Sequence, residues 1–216
     1  MAHIHLPDGA LSLGWVLTWW AVYLAATSGI VYTIRRRGSL DPLKIAVAAM
    51  ATAASFAVFQ INIPLLGGIH LSLTPLVGIL LGPAFGAVSV FIVNIFSAAV
   101  GHGGWGLIGA NSVVNTVEVS LSCMSFQTFR KRLSIFSAGA LATVAALAVG
   151  SLVMVCIVAL SGIQGSALSM GETVSNLTLL TAANIFVAAI EGVITGFTLT
   201  YLGKLRPDLL SVSGSR

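Results

Sequence analysis

The sequence predicts an all-α membrane protein, a bundle of seven transmembrane helices that forms one integral membrane domain over residues 1–216. Hydrophobic residues make up 57% of the chain and charged residues 7%, and the mean hydropathy is +1.02. Because a soluble domain carries about 25% charged residues, this composition excludes a soluble enzyme, a nucleic-acid-binding domain and a disordered chain. At roughly 20 apolar residues per crossing, the chain has room for about six to eight helices and for no appended globular domain.

The first two helices are defined by what stands at their ends. A short N-terminal peptide, 1–10, precedes an apolar stretch over 11–34. Three tryptophans lie near the start of this stretch, as is typical of a membrane interface, and three consecutive arginines end it. A second helix over about 43–60 is rich in alanine. Since small residues let helices pack closely, this face either packs inside the bundle or docks on a partner subunit.

The stretch 71–100 decides the number of crossings. As one helix it would be about 45 Å long at 1.5 Å per residue, which is too long for a hydrocarbon core of about 30 Å. Gly82-Pro83 provides a break, so we expect one helix over 71–82 and another over 84–100. Three further helices, over about 106–125, 134–160 and 174–203, complete the seven.

The distribution of positive charge supports this count. With seven crossings, the loops 35–44 and 130–132 and the tail 204–216 lie on one side of the membrane, and together they contain all ten Lys and Arg residues. The positive-inside rule then places the N-terminus outside and the C-terminus in the cytoplasm. The net charge of +4 is therefore interpreted as a topology signal, and no nucleic-acid partner is expected.

All four histidines, His3, His5, His70 and His102, fall on the outer face of this topology. Imidazole is the commonest protein ligand for nickel, cobalt, zinc and copper, so their clustering indicates a metal site. His102 lies among glycines, which favours an ordinary loop residue over a ligand.

The N-terminal residues sharpen this hypothesis. Met1-Ala2-His3 can surround a metal with the Met1 amine, the amide nitrogens of Ala2 and His3, and the imidazole of His3. Four nitrogens in one plane suit Ni(II) or Cu(II) rather than Zn(II) or Mg(II). If Met1 is removed, Ala2 supplies the amine, three nitrogens are local, and His70 or His5 would have to supply the fourth. A histidine also occurs at this position by chance, so the pattern by itself does not define a function.

Several motifs resemble those of the nickel/cobalt substrate-binding components of energy-coupling-factor transporters, the NikM/CbiM family. The start of the chain resembles the family's N-terminal signature, and a Gly-Gly loop that ends in histidine is similar to the family's loop after the second helix. A Gly-Pro pair and a glycine-rich stretch that ends in asparagine also match. These motifs are His5-Leu6-Pro7-Asp8-Gly9-Ala10-Leu11-Ser12, Pro64-Leu65-Leu66-Gly67-Gly68-Ile69-His70, Leu80-Leu81-Gly82-Pro83 and Gly109-Ala110-Asn111.

The resemblance implies a square-planar metal site made by the N-terminal amine, the amide and imidazole of the second residue, and the loop histidine, which corresponds to His70. Alignment with the family signature makes His5 the histidine that supplies the amide and imidazole. Distance from the N-terminal amine favours His3 instead, since removal of Met1 would make His3 the second residue. We expect Met1 or Ala2, His3 and His70 as ligands, with His5 nearby.

The resemblance also implies partners and a place in the cell. The partners are a transmembrane coupling subunit, two ABC-type ATPase subunits and a small accessory membrane subunit, in a prokaryotic inner membrane. The transported ligand is Ni²⁺ or Co²⁺, and no cofactor is expected.

Polar residues inside the predicted helices have two interpretations. Glu118 and Glu191 lie deep in their spans, where ionisable groups are costly and mark either a cation pathway or a network that fixes the bundle. Asn111 and Asn115, one helical turn apart after the His102 loop, are expected to face inward and orient the N-terminal loop or the site histidines, and His102 is a further candidate for that role.

Three functions remain open from these observations. The first is the substrate-specific transmembrane component of an ATP-driven nickel or cobalt importer, which is not itself an enzyme because the chain lacks a phosphate-binding Gly-x-x-x-x-Gly-Lys-Ser/Thr motif. The second is an intramembrane metal-dependent enzyme, which would need an open coordination position and a general base. The third is a stand-alone secondary carrier, in which internal repeats are common, and we detect none.

Overall fold

A computed structural model describes residues 8–36, 42–60, 62–63, 69–163 and 170–211, and these residues are almost entirely helical. The all-α character is thus confirmed. The helices are α1 (Leu13–Arg36), α2 (Pro42–Phe59), α3 (Thr74–Ala99), α4 (Ile108–Phe129), α5 (Ile135–Ser161), α6 (Met170–Leu205) and the short α7 (Pro207–Ser211). A 3-10 turn, Trp105–Leu107, precedes α4, and the two-residue strands β1 (Asn62–Ile63) and β2 (Ile69–His70) pair antiparallel.

Among the described residues, five helical segments are long and apolar enough to cross a membrane: Leu13–Tyr32, Pro42–Phe59, Thr74–Ala99, Ile135–Ser161 and Asn184–Leu205. The chain is accordingly a membrane protein. The helix α4 is as long as these but more polar, and its polar side chains, such as Asn111, Asn115 and Glu118, are buried against other helices.

The element α3 consists of two helical arms that fold back on each other at Gly82-Pro83. Gly82 has φ 76° and ψ 173°, a conformation that glycine adopts readily and other residues do not. A Cβ added to Gly86 would lie 3.6 Å from the Cα of Gly78, whereas residues eight apart in a straight helix are about 12 Å apart. The predicted break is therefore present as a tight turn between packed arms.

Both arms of α3 run along α2, in opposite directions. Near the end of α2, Ser55 donates a hydrogen bond to the Ser72 carbonyl (2.6 Å), and Phe56 lies against Phe96, with ring centroids 5.8 Å apart. At the other end of α2, one cavity is lined by Leu43, Lys44, Val47, Leu80, Leu81, Phe85 and Leu209. The first arm begins at Thr74 rather than at the predicted Leu71, and the residues 71–73 that lead into it are not helical.

The helices differ in how much of their surface the protein covers. The apolar window of α1 is 6% buried and that of α2 is 17% buried, against 56% for α3 and 50% for α5. The arms of α3 with α4, α5 and α6 therefore form the centre of the bundle, and α1 and α2 lie at its edge.

Glycines permit the closest helix contacts in this centre. A side chain at Gly78 would run into the backbone of Val119 in α4, and one at Gly196 would run into Phe136 in α5. Close approach of this kind is the usual way that helices associate in membranes.

The two ends of the bundle carry different residues, and we name them accordingly. The histidine end contains His70 and His102, and the basic end contains Lys44, Arg130, Lys131, Arg132 and Lys204.

Candidate metal site

Two histidines from distant segments meet at the histidine end. His70 ends β2, and His102 lies in the turn between α3 and α4, where Gly101 and Gly103 have φ of +81° and +87°. The backbone amide of His102 donates to the Ser97 carbonyl (2.8 Å), which closes this turn. The Nε2 atoms of the two imidazoles are 3.0 Å apart.

This separation of the two Nε2 atoms fits two kinds of interaction, a hydrogen bond and shared binding of a metal ion. It is a hydrogen-bonding distance, in which one ring donates and the other accepts according to tautomer. It also equals the distance of about 3 Å between neighbouring nitrogens of a square-planar site with metal–nitrogen bonds of about 2.0–2.1 Å. The ring centroids are 4.3 Å apart with an interplanar angle of 85°, so the rings meet at an angle and not end to end.

Phe59 forms an apolar wall beside this pair. Its ring centroid lies 5.6 Å from that of His70 and 5.2 Å from that of His102. Phe59 is 3% exposed and His70 is 7% exposed, so the imidazoles are shielded from water on this side. An apolar surrounding of this kind strengthens electrostatic and coordinate interactions within it.

Asp8 attaches the N-terminal peptide to the same place. Its carboxylate accepts hydrogen bonds from the backbone amides of Trp105 (3.0 Å) and Gly106 (2.9 Å), and it lies against Gly104, two residues from His102. The following residues Ala10 and Leu11 are buried against Leu107, Val114 and Met154, among others.

The predicted ligands Met1, Ala2, His3 and His5 lie outside the described residues. Since Asp8 is bonded to Trp105 and Gly106, the chain leads to these residues from a point beside the turn that contains His102. His5 is three residues from Asp8, a reach of at most about 10 Å. Within the described segments, no group of three or more His, Cys, Asp or Glu side chains forms a metal cluster.

The predicted orienting asparagines lie in a buried polar network. Asn115 donates to Asn94 (3.2 Å), and Asn94 donates to Ser112 (2.9 Å), so these residues join α3 to α4. Asn111 is 4% exposed, and its Oδ1 accepts no hydrogen bond from the described residues. His102, in contrast, directly contacts His70.

Glu191 holds the segment that follows His70. Its Oε2 accepts from the Ser72 amide (3.1 Å) and its Oε1 from the Ser72 hydroxyl (3.0 Å). These bonds stabilise the start of the first α3 arm, where Leu73 has φ 54°, an unusual value for a residue with a side chain.

Sequence reasoning noted Glu191 but missed Ser72, Ser55, Phe59 and the role of Asp8. The signal available for Asp8 was its place between Pro7 and Gly9, a typical turn context.

Comparison with known proteins identifies the family to which this chain belongs. The model of the CbiM family, described as the cobalt uptake substrate-specific transmembrane region, matches residues 5–209. The chain belongs to the CbiM family, as the resemblance of its motifs indicated. This is a family of transport components and not of enzymes.

Individual relatives agree with this assignment. The chain is 30% identical to the putative cobalt transport protein CbiM 1 of Methanocorpusculum labreanum, over 98% of this chain and 94% of the relative. It is 27% identical to the putative fused nickel transport protein NikMN of Archaeoglobus fulgidus, over 96% of this chain and 68% of that protein. A crystal structure of a truncated transition metal transporter superposes with a TM-score of 0.80 at 19% identity, covering 94% of this chain and 99% of that one; this likeness establishes the fold.

Proposed function

We propose that this protein is the substrate-specific transmembrane component of an ATP-driven nickel or cobalt importer, and that it captures the metal ion with nitrogen ligands at the extracytoplasmic face. The observation that carries the proposal is the contact between His70 and His102, 3.0 Å apart at Nε2, beside the point where Asp8 anchors the N-terminal peptide. Membership of the CbiM family supports cobalt or nickel as the cargo.

In this proposal His70 is a ligand from the body of the bundle, and His3 is the ligand from the N-terminal peptide, with His5 nearby. His102 either binds the metal beside His70 or fixes the tautomer of His70 by a hydrogen bond. The amine of Met1 or Ala2 as a further ligand stays a prediction, which adding one residue before Met1 tests.

The seven-crossing topology is part of the proposal. The arms of α3 each run along α2 and in opposite directions, which supports counting them as two crossings alongside α1, α2, α4, α5 and α6. The basic end then lies in the cytoplasm and the histidine end outside, in accordance with the positive-inside rule. Cysteine labelling from outside at position 103, compared with position 131, tests this orientation.

Partner subunits would supply the energy: a transmembrane coupling subunit and two ABC-type ATPases, with a small accessory membrane subunit, in a prokaryotic inner membrane. An apolar groove between α2 and the second α3 arm is a candidate docking surface for the coupling subunit; Ala48, Ala49, Thr52, Phe56, Ile92 and Phe96 are among its lining residues. Ala51 packs instead against Val77, Val90 and Val119, so Ala48→Trp tests docking and Ala51→Trp would disturb packing as well.

The test is metal binding by the purified protein, with bound Ni²⁺ and Co²⁺ counted by mass spectrometry and affinities measured by calorimetry. We expect one tightly held ion per chain, lost in His70→Ala, while thermal unfolding without metal stays unchanged. Equal binding by the wild type and His70→Ala would overturn the site. Uptake of metal into proteoliposomes that contain this chain alone would favour a stand-alone carrier over an importer component.

A further inference from the structure

The segment 71–73 joins His70 to the first α3 arm, and α6 contacts its first two residues. Leu71 packs against Val187 of α6, which is 2% exposed. Ser72 donates two hydrogen bonds to Glu191, which lies one helical turn further along α6. One stretch of α6 therefore holds both residues that follow His70.

All three polar groups of Ser72 are bonded to other helices. Its amide donates to Oε2 of Glu191 (3.1 Å) and its hydroxyl to Oε1 (3.0 Å), while its carbonyl accepts from the Ser55 hydroxyl of α2 (2.6 Å). Ser72, Ser55 and Glu191 are 3%, 1% and 0% exposed. Because water does not reach these groups, a lost bond would leave a buried polar atom unsatisfied, which is costly.

The conformation of the next residue also depends on its surroundings. Leu73 has φ 54° and ψ 10°, a left-handed conformation that residues with a side chain rarely adopt. Such a conformation persists only where the surrounding structure fixes it. Without Glu191, both donors of Ser72 would lack their acceptors, so the segment 71–73 would rearrange to find others.

A rearrangement of this segment would reach the metal site through His70. Only Leu71 separates His70 from Ser72, and the Nε2 atom of His70 lies 3.0 Å from that of His102. The turn that contains His102 is closed by its own bond to the Ser97 carbonyl. The separation of the two imidazoles therefore depends on the contacts that hold the chain around His70.

We propose that Glu191 is a positioning residue for the metal ligand His70, acting through its two hydrogen bonds to Ser72. Of the two interpretations of this buried carboxylate, a cation pathway and a network that fixes the bundle, the proposal assigns it to the network. The inference rests on the proposed function, because it takes His70 as a ligand. Glu191 itself contacts no metal in this proposal.

The test is a nickel titration of purified full-length variants. Glu191→Leu removes both acceptors, and we expect it to lower the nickel affinity about 10-fold or more, as loss of a group that orients a metal-binding histidine does. Glu191→Gln keeps an acceptor for the Ser72 amide and a polar partner for its hydroxyl, so its affinity should stay close to that of the wild type. Ser72→Ala should weaken binding less than Glu191→Leu, and combining the two should add little, because they disrupt the same interaction.

Imidazole NMR of the metal-free protein gives a readout that does not depend on nickel. The hydrogen bond between His70 and His102 should be lost in Glu191→Leu and kept in Glu191→Gln. Thr195→Ala is the matched control, because Thr195 is buried one helical turn beyond Glu191 on the same side of α6. This variant should bind nickel as the wild type does, even where its midpoint of thermal unfolding is lower.

The outcomes separate the two proposals. Wild-type nickel affinity in Glu191→Leu, the same loss in Glu191→Gln as in Glu191→Leu, or an equal loss in Thr195→Ala overturns the positioning role while the histidine site stands. A wild-type chain that binds no nickel overturns the proposed function instead. If Glu191→Leu does not fold, Ser72→Ala decides the question, since an unchanged affinity in that variant also overturns the positioning role.

Discussion

The two ends of the bundle are built on different physical principles. At the histidine end, backbone geometry and packing fix each side chain: the turn around His102 is closed by a backbone hydrogen bond, Asp8 binds two backbone amides, and Phe59 packs on both imidazoles. At the basic end, the described ion pair Arg206–Asp208 has side chains that are 52% and 46% exposed. Substitutions at the first end should therefore change metal binding, and substitutions at the second should leave it unchanged.

The largest effect is expected for the histidine pair. His70→Ala should abolish tight nickel binding, because it would remove a proposed ligand. His102→Ala should lower the affinity by about 10–100-fold if His102 orients His70, and should abolish binding if His102 is itself a ligand. Calorimetric titration with Ni²⁺ measures both.

The basic end supplies the matched control for these variants. Lys131→Ala should bind nickel as the wild type does. If Lys131→Ala and His102→Ala weakened nickel binding equally, the expectation that only substitutions at the histidine end change metal binding would be wrong.

The next largest effect on nickel binding is expected when the attachment of the N-terminal peptide at Asp8 is removed. Asp8→Ala removes two charge-assisted hydrogen bonds, each worth at most about 1.5–3 kcal/mol and less here because Asp8 is exposed. We expect weaker nickel binding with little change in thermal stability, since the peptide would be less constrained near His102. Asp208→Ala, at the basic end, should bind nickel normally; an unchanged affinity in Asp8→Ala would show that the peptide does not contribute ligands.

A third change tests the packing of the first α3 arm against α4. Gly78→Val inserts atoms where the backbone of Val119 lies, and overpacking of this kind costs about 1–3 kcal/mol. We expect a lower midpoint of thermal unfolding in detergent. Gly14→Val is the control, because nothing lies within 4 Å of a Cβ at Gly14. Equal destabilisation by the two substitutions would contradict the close packing of the first α3 arm against α4.

The smallest effect is expected at Arg206–Asp208. The hydrogen bond from Arg206 lowers the pKa of the Asp208 carboxyl from its usual value. A lowered pKa in the folded state means that any stabilisation is present above the unfolded-state pKa and is lost as the pH falls through the folded-state value. Because both groups are exposed, the pair is worth little, and Asp208→Asn should leave the unfolding midpoint unchanged between pH 7 and pH 3.

Local features of the sequence were sufficient to predict the helices and the Gly82-Pro83 break, since the lengths of apolar runs and a Gly-Pro pair act within a few residues. The contact of His70 with His102 was not predictable in this way, because it depends on how two loops 32 residues apart are held by the bundle. The spacing of Asn111 and Asn115 favoured a role beside the histidines, whereas Asn115 bonds to Asn94. Their burial was predicted, and their partners depended on the packing of α3 against α4.

The start of the first α3 arm illustrates the same limit. Hydropathy alone extended this helix to Leu71, but Ser72 and its neighbours are drawn into a non-helical conformation by Glu191, 119 residues away. No local pattern around Leu71 encodes that bond.

The pairing of Ser72 with Glu191 also bears on how the protein is made. Non-helical backbone is tolerated at membrane depth only where protein surrounds it, and the first α3 arm, eight residues and about 12 Å long, is too short to be stable in lipid by itself. Glu191 lies in α6, 119 residues after Ser72, and therefore leaves the ribosome later. During synthesis, the bonds from Ser72 to Glu191 can therefore form only after α6 has left the ribosome, so a chain that stops before α6 would lack the contact that holds the segment after His70.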